Sequence, residues 1–331
     1  MFIDLDETLA KQYIDATQTR AVLLDAENRA RQYRGSMYWR TTKGREYLIK
    51  ETAGIVKSLG ARSPENEAIH AEFLTRKSAT AERRKSLAAA MKRQERVNAA
   101  LRLGRTPNVV VGLLNALEKA GIADHFMVIG TNALYAYETH AGVRFTGDIK
   151  ATTDVDLLWD SRKYLSLVSN DPDFNERGLI GLLKKVDSSF AVLADESYRA
   201  ANSCGYLVDL IKRRPPSLFD DHEKQQVQAV EDDFWAAKIV NMDWLLSSPK
   251  FRQVVVGING GMAEMITVDP RAFVLFKLYM AGRDNRDPVK KPRDYAQARA
   301  LYQLIRERLP HLAFERLHVF PVQVRQMLEG I

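Results

Sequence analysis

The chain has 331 residues, 46% of them hydrophobic and 27% charged, with a net charge of +7 and a pI near 9.3. That length allows two domains with cores of their own, while no apolar run nears the roughly 20 residues a membrane span needs and the start, MFIDLDETLA, lacks a secretory pattern. The lone Cys204 cannot close an internal disulfide, so a cytoplasmic setting is expected, and the basic balance permits a polyanionic partner without requiring one.

Leu5, Leu9, Tyr13, Ala16, Ala21, Leu24 and Ala30 recur at helical spacing and predict a helix over 4–34, ended by Gly35. A β-hairpin follows near 36–50, turning at Gly44, with Arg40, Lys43 and Arg45 on its exposed face. Ser63-Pro64 with Glu65 and Glu67 starts a helix that runs to about Leu103, with a break near Ser78. Arg76 to Arg105 carries ten Arg or Lys (76, 77, 83, 84, 85, 92, 93, 96, 102 and 105) against Glu82 and Glu95. Two readings stand side by side: a solvated helix face, or a surface for the phosphate backbone of RNA or DNA. No aromatic residues are interleaved there, so base stacking is not expected from it.

Thr106-Pro107 caps the next helix, packed through Val110–Leu117 and ended by Gly121. The strand Phe126–Gly130 then runs through a Gly130-Thr131 turn and Asn132 into an amphipathic run, Ala133–Tyr137, at a helix N-terminus. Thr152–Trp159 is a second strand, on which Asp154 and Asp156 share one face. Ser161–Leu167 and Gly178–Lys185 read as helices, and Phe190–Leu193 as a strand. Tyr206–Ile211 is an apolar strand holding the single acid Asp209. Asp220–Asp233 reads as a surface loop or exposed helix. Trp244–Leu246, Gln253–Val256 and Met265–Val268 read as strands. Asp269-Pro270 caps a helix over 271–280 that carries Lys277 on its non-apolar side. A basic connection with Arg283, Arg286, Lys290, Lys291 and Arg293 leads to helices over 295–308 and 320–328. His125, His140 and His222 lack metal-ligand spacing and read as loop or surface residues. Cys204 is expected buried, and Trp39, Trp159, Trp235 and Trp244 are expected to anchor the core.

Two carboxylates side by side on a strand repel each other unless a cation sits between them. All-oxygen ligation of that kind suits Mg²⁺ or Mn²⁺. Asp209, buried in an apolar strand, needs a partner. Either it joins the other two acids at metal, or it pairs with an arginine such as Arg144 or Arg199. Three carboxylates around two divalent ions suit phosphoryl or nucleotidyl transfer, in which the protein mainly positions groups and neutralises charge. Lys277, Arg283 and Lys290 are candidates to face a triphosphate.

Gly130-Thr131, Asp154-x-Asp156 and a distal Asp209 resemble the DNA polymerase beta-type nucleotidyltransferase superfamily over residues 107–305. Lys277, Arg283 and Arg293-Asp294-Tyr295 are similar to elements of AbiEii and MenT-type nucleotidyltransferase toxins. The resemblance implies metal at Asp154, Asp156 and Asp209, phosphates at Gly130, Thr131 and Asn132, triphosphate at Lys277, and Asp294 orienting basic side chains. Threonine stands where that superfamily usually has serine, and Gln297 where the toxins often have a second acid.

The expected fold is α/β (α+β): a basic helical N-terminal region over 1–105, a polymerase-beta-like core with a mixed sheet over 106–242, and a C-terminal lobe with a hairpin and helices over 243–331. The expected activity is Mg²⁺-dependent transfer of a nucleoside monophosphate from an NTP, ATP included, to a hydroxyl of RNA or tRNA through the Arg76–Arg105 surface, releasing pyrophosphate. A protein side chain or small molecule as acceptor, and a non-catalytic nucleic-acid-binding protein, are the alternatives. An antitoxin partner and self-association are left open.

Overall fold

The computed structural model describes residues 2–52, 54–147, 149, 152–162, 169, 171–215 and 224–331. The helix expected over Ser161–Leu167 lies outside them from residue 163 onward, as does His222. Contacts divide the chain into two compact units, one of residues 11–101 and one of residues 1–10 with 102–331. In chain order the first elements are β1 (Phe2–Asp4), α1 (Glu7–Gln32), β2 (Ser36–Thr42), β3 (Arg45–Thr52), β4 (Ile55–Ala61) and α2 (Pro64–Ala100).

The smaller unit is a pair of long helices with a three-stranded antiparallel sheet between them in sequence. The helices run antiparallel. Gln12 donates to Gln94 and Asn98 at 2.9 and 2.8 Å near one end, and Tyr33 meets the Phe73 ring at 6.0 Å near the other. Ser63 caps α2 by accepting from the Asn66 N–H at 3.2 Å. At 37 residues α2 is about 55 Å long. No break occurs at Ser78, because an exposed serine costs a helix only a few tenths of a kcal/mol, about 0.5, and no proline or glycine interrupts the run.

The larger unit continues with α3 (Asn108–Ala120), β5 (Phe126–Ile129), α4 (Leu134–Ala141), β6 (Val143–Phe145), β7 (Asp154–Trp159), α5 (Pro172–Val186), β8 (Ala191–Val192), β9 (Arg199–Ala201), β10 (Leu207–Arg213) and β11 (Ala237–Ile239). It ends with α6 (Met242–Ser247), β12 (Lys250–Val256), β13 (Met262–Val268), α7 (Pro270–Gly282), α8 (Lys290–Arg308) and α9 (Val322–Gln326). The expected mixed sheet is present, in the order β12-β13-β5-β7-β10-β9-β8, with β11 also on β10. β7 and β10 run parallel, as do β5 and β13, whereas β5 and β7 are antiparallel. The sheet crosses the division expected at residue 242/243, since β13 bonds onto β5 and β12 onto β13.

Period-two alternation sorts the two cores. Phe126, Val128, Val155, Leu157, Val208 and Leu210 pack with α3 and α5 on one face. Met127, Ile129 and Leu158 pack with α4, α6, α7 and α8 on the other. Asp154 and Asp156 are in phase with Leu158, and Asp209 is out of phase with Val208 and Leu210. All three acids therefore belong to the face that α7 and α8 cover.

Several local expectations change. The helix expected from residue 4 begins at Glu7, because residues 2–4 form a strand that pairs with β6, and Phe2 meets the Phe145 ring edge-on at 6.5 Å. Trp244–Leu246 is helical: Trp244 packs on Tyr279 and Phe320, and a short apolar run does not reveal its period. The helix expected from Gly178 begins at Pro172 and kinks at Gly178, whose φ of +66 breaks the helical path. Cys204 is exposed in a turn, Trp235 is exposed, and His125 is buried. Among the described residues no helix is long and apolar enough to cross a membrane.

Candidate active site

The site is built where β5 ends beside β7. Ile129 pairs with Asp156, and the chain then turns sharply through a 3-10 segment, Gly130–Ala133, into α4. Gly130 has φ +68, and a Cβ there would lie 2.2 Å from Asp156 Oδ2. Only glycine lets the turn pass this close to the carboxylate. Buried Asn132 donates through Nδ2 to the Asp154 carbonyl at 2.6 Å, which ties the turn to β7.

Just before β7 the Thr152 hydroxyl donates to Asp154, which is partly exposed. Asp156 is half-buried. Its pKa is pushed up to about 7, first by burial and then by the charges of Asp154 and Asp209, against the attraction of Lys277 and Lys290. That opposition places four other charged groups within electrostatic reach of the Asp156 carboxyl. Asp209 stands in register with Asp156 across β7–β10. It is buried, and both its oxygens accept from Arg199 of β9, Nε at 2.7 Å and Nη2 at 2.8 Å. Of the two partners left open by the sequence, Arg199 is the one seen, while Arg144 bonds the Arg102 and Leu103 carbonyls. Arg199 also donates to Glu196 at 2.6 Å.

Helices α7 and α8 supply the other wall. Lys277 is largely but not fully buried rather than on a solvent-facing side of α7, and donates to Asp294 at 2.7 Å. Burial pulls its pKa down, and the charges of Asp294 and Asp156 oppose that pull. Asp294 is 2% exposed and also accepts from Arg286, with Nε at 2.8 Å. Arg283 lies over the Tyr279 ring at 5.7 Å, away from the Asp294 cluster. Lys290 opens α8 and is exposed. The Thr131 hydroxyl accepts from Arg293 Nη2 and from Gln297 Nε2, each at 3.1 Å. Gln297, fully buried, also donates to the Ile149 carbonyl at 2.6 Å. An acid there could make neither bond as a carboxylate.

Arg199, Arg286, Gln297 and Tyr206 were not singled out as site residues by sequence. The Tyr206 hydroxyl is pushed to a higher pKa by burial first and then by its neighbours, Asp154 and Asp156 among them, with the Asn132 amide opposing. Arg199 had entered only as one possible partner of Asp209, because the pairing of β9 with β10 that sets the two opposite each other leaves no local signal. Gln297 had one: it follows Asp294 by three residues, one helical turn later on α8.

Among the described residues no group of three His, Cys, Asp or Glu side chains is arranged as a metal site. Asp154 and Asp156 nonetheless form a same-face oxygen pair whose mutual repulsion a cation would relieve. Asp209 keeps free acceptor sites, because each carboxylate oxygen can accept twice. The donor set therefore fits a divalent ion of the Mg²⁺ or Mn²⁺ kind.

Of the expected basic surface, Arg105 is withdrawn. It pairs with buried Glu138 at 3.0 Å and donates to the Phe145 carbonyl at 3.2 Å. Arg102 lies past the end of α2. Arg83, Arg84, Lys85, Arg93 and Arg96 are exposed on α2 and make no ion pair among the described residues.

The model of a nucleotidyltransferase family matches residues 108–318, more than half of the chain and nearly all of the larger unit's sheet and helices; the chain belongs to that family. No curated protein and no solved structure matches it.

Proposed function

We propose that this nucleotidyltransferase-family chain moves a nucleoside monophosphate from an NTP to a hydroxyl of RNA, a tRNA end included, with release of pyrophosphate and with Mg²⁺ or Mn²⁺ as the ion. The observation that carries the reading is the register. Asp156 stands between Ile129, which leads into the tight Gly130 turn, and Asp209, and Lys277 attracts it from α7. Phosphate, ion and acceptor need just such a meeting of a close-approach turn, paired carboxylates and cations.

Asp154 and Asp156 would hold the ion, with Asp209 as the third acid. Bound there, a divalent ion neutralises triphosphate charge and, as one of two, favours the attacking hydroxyl. Gly130 lets backbone approach the phosphates, and the Thr131 hydroxyl, held by Arg293 and Gln297, orients toward them. Lys277 supplies positive charge, and Asp294 fixes its position. Lys290 and Arg283 reach the triphosphate from the exposed connection. Asp209 orients the acceptor hydroxyl and draws on its proton, while Arg199 sets the direction of the carboxylate.

RNA as acceptor rests on the unpaired cations along α2. The toxin-like character, and with it a neutralising partner, belongs to the same proposal. The test is incubation with each labelled NTP, Mg²⁺ and total RNA or protein. Asp154→Ala with Asp156→Ala should abolish labelling, and retained labelling would sink the site assignment. Label on protein instead of RNA would move the acceptor to a side chain.

A further inference from the structure

One face of the β2–β4 sheet is covered by α2. Met37, Leu48 and Phe73 form its small core, and Trp39 meets the His70 ring at 5.8 Å. By the two-residue period the other face carries Tyr38, Arg40, Arg45, Tyr47 and Ile49, with Arg40 directly opposite Tyr47 and Tyr38 opposite Ile49. Around buried Ile49 this face forms a cavity of about 550 Å³ whose lining includes Arg40, Lys43, Arg45 and Tyr47 and no acidic residue.

Three of the polar groups here are uncommitted. Lys43 and Arg45 are exposed and make no ion pair among the described residues, and the Tyr47 hydroxyl makes no hydrogen bond among them. Arg40 Nη2 donates to the Tyr38 hydroxyl at 2.9 Å, which donates to Glu51 at 3.1 Å. That chain holds the Arg40 guanidinium at the cavity edge. Lys43 occupies a left-handed position, φ +49, at the tip of the turn, where asparagine or aspartate is the commoner choice. A cation projects there in place of an acid or amide.

We propose that this face is a binding site for single-stranded RNA. A base stacks on the Tyr47 ring over the apolar floor, and the backbone phosphates run along Arg40, Lys43 and Arg45. Cations beside a half-buried aromatic, with no carboxylate in the lining, match an unpaired polynucleotide in both charge and π-face. A duplex keeps its bases stacked on one another and offers only its phosphates. This names the strand that the RNA reading of the acceptor requires, and in that respect rests on it. It also supplies the aromatic element that the Arg76–Arg105 run lacks.

The test is fluorescence anisotropy of the full chain with a labelled single-stranded RNA of about 12 nucleotides, without NTP, between about 50 and 200 mM salt. Tyr47→Ala should weaken binding about tenfold, and Tyr47→Phe should leave it within about twofold, since stacking needs the ring and not the hydroxyl. Arg40→Ala with Lys43→Ala and Arg45→Ala should flatten the log–log salt slope by about 2, at roughly 0.7 per phosphate contact. A duplex of the same length should bind more weakly. Equal binding by Tyr47→Ala, equal affinity for duplex, or no RNA binding by the wild type would each overturn the proposal. Arg45→Glu, at an exposed position, guards against a folding artefact: unchanged RNA affinity there also counts against it. Transfer is read separately. Lost labelling in Asp154→Ala/Asp156→Ala with RNA binding retained supports both readings, whereas wild-type binding without wild-type labelling strikes only the transfer chemistry.

Discussion

Asp156→Asn is the most informative single substitution, because function and stability should move in opposite directions. In the metal-free protein the Asp156 carboxyl is pushed up to about 7 from an ordinary 3.8 by burial and by Asp154 and Asp209. The folded chain therefore holds a proton that the unfolded chain releases. The unfolded state binds fewer protons, so stability falls as pH rises from about 4 to about 7 and levels off above that. A gap of about three pKa units is about 4 kcal/mol, at roughly 1.4 kcal/mol per unit. Replacing the acid with a neutral amide should recover about 4 kcal/mol at pH 8, about 2 kcal/mol at pH 5, and nothing below pH 4. The assay is urea unfolding of wild type and Asp156→Asn in chelator at those pH values. Added Mg²⁺ should then stabilise the wild type, by about 2.7 kcal/mol at a hundred times its Kd, and leave Asp156→Asn unmoved. The same variant should lose nucleotidyl transfer. A destabilised variant at pH 8 in chelator, or a gain that does not change with pH, would refute the picture of a carboxyl crowded by its neighbours.

Three further outcomes are expected. Asp294→Asn removes the negative charge and one of the two acceptor oxygens that Lys277 and Arg286 share in a buried setting, and should cost about 3 kcal/mol or more in urea unfolding. Gly178→Ala should cost at least about 2 kcal/mol: its φ is +66, and the new Cβ would lie 1.9 Å from Asp233 Oδ2. That carboxylate accepts from the Leu179 and Ile180 N–H groups at 2.9 Å, so displacing it also uncaps the second half of α5, and thermal unfolding should reveal the loss. Gly130→Ala drives a Cβ against Asp156 and should remove transfer by about a hundredfold or more, with far-ultraviolet dichroism preserved; near-normal turnover would mean the turn does not approach the phosphates.

What could be read from the residues alone was local. Alternation along Asp154–Trp159 and Leu207–Arg213 identified two strands and told which acids share a face, since a strand's period is two. Ser63-Pro64 and Asp269-Pro270 marked helix starts, and Gly130 marked a close approach. The positions of Asp154, Asp156, Asp209, Lys277 and Asp294 were legible for the same reason: each breaks an otherwise consistent pattern, or sits in a recognisable run.

Partners were not legible, because they depend on strand order and register. Arg199 reaches Asp209 because β9 happens to lie beside β10 with those residues opposite. Gln297 reaches Thr131 from 166 residues away because α8 crosses the end of β5. Arg105 leaves the basic surface only because buried Glu138 needs a cation. In each case a buried charge or polar group must be satisfied, and the fold supplies whichever group stands nearest. Sequence picked out candidate side chains for chemistry; the tertiary structure decided which of them meet, since meeting is a property of packing across distant segments and no local period encodes it.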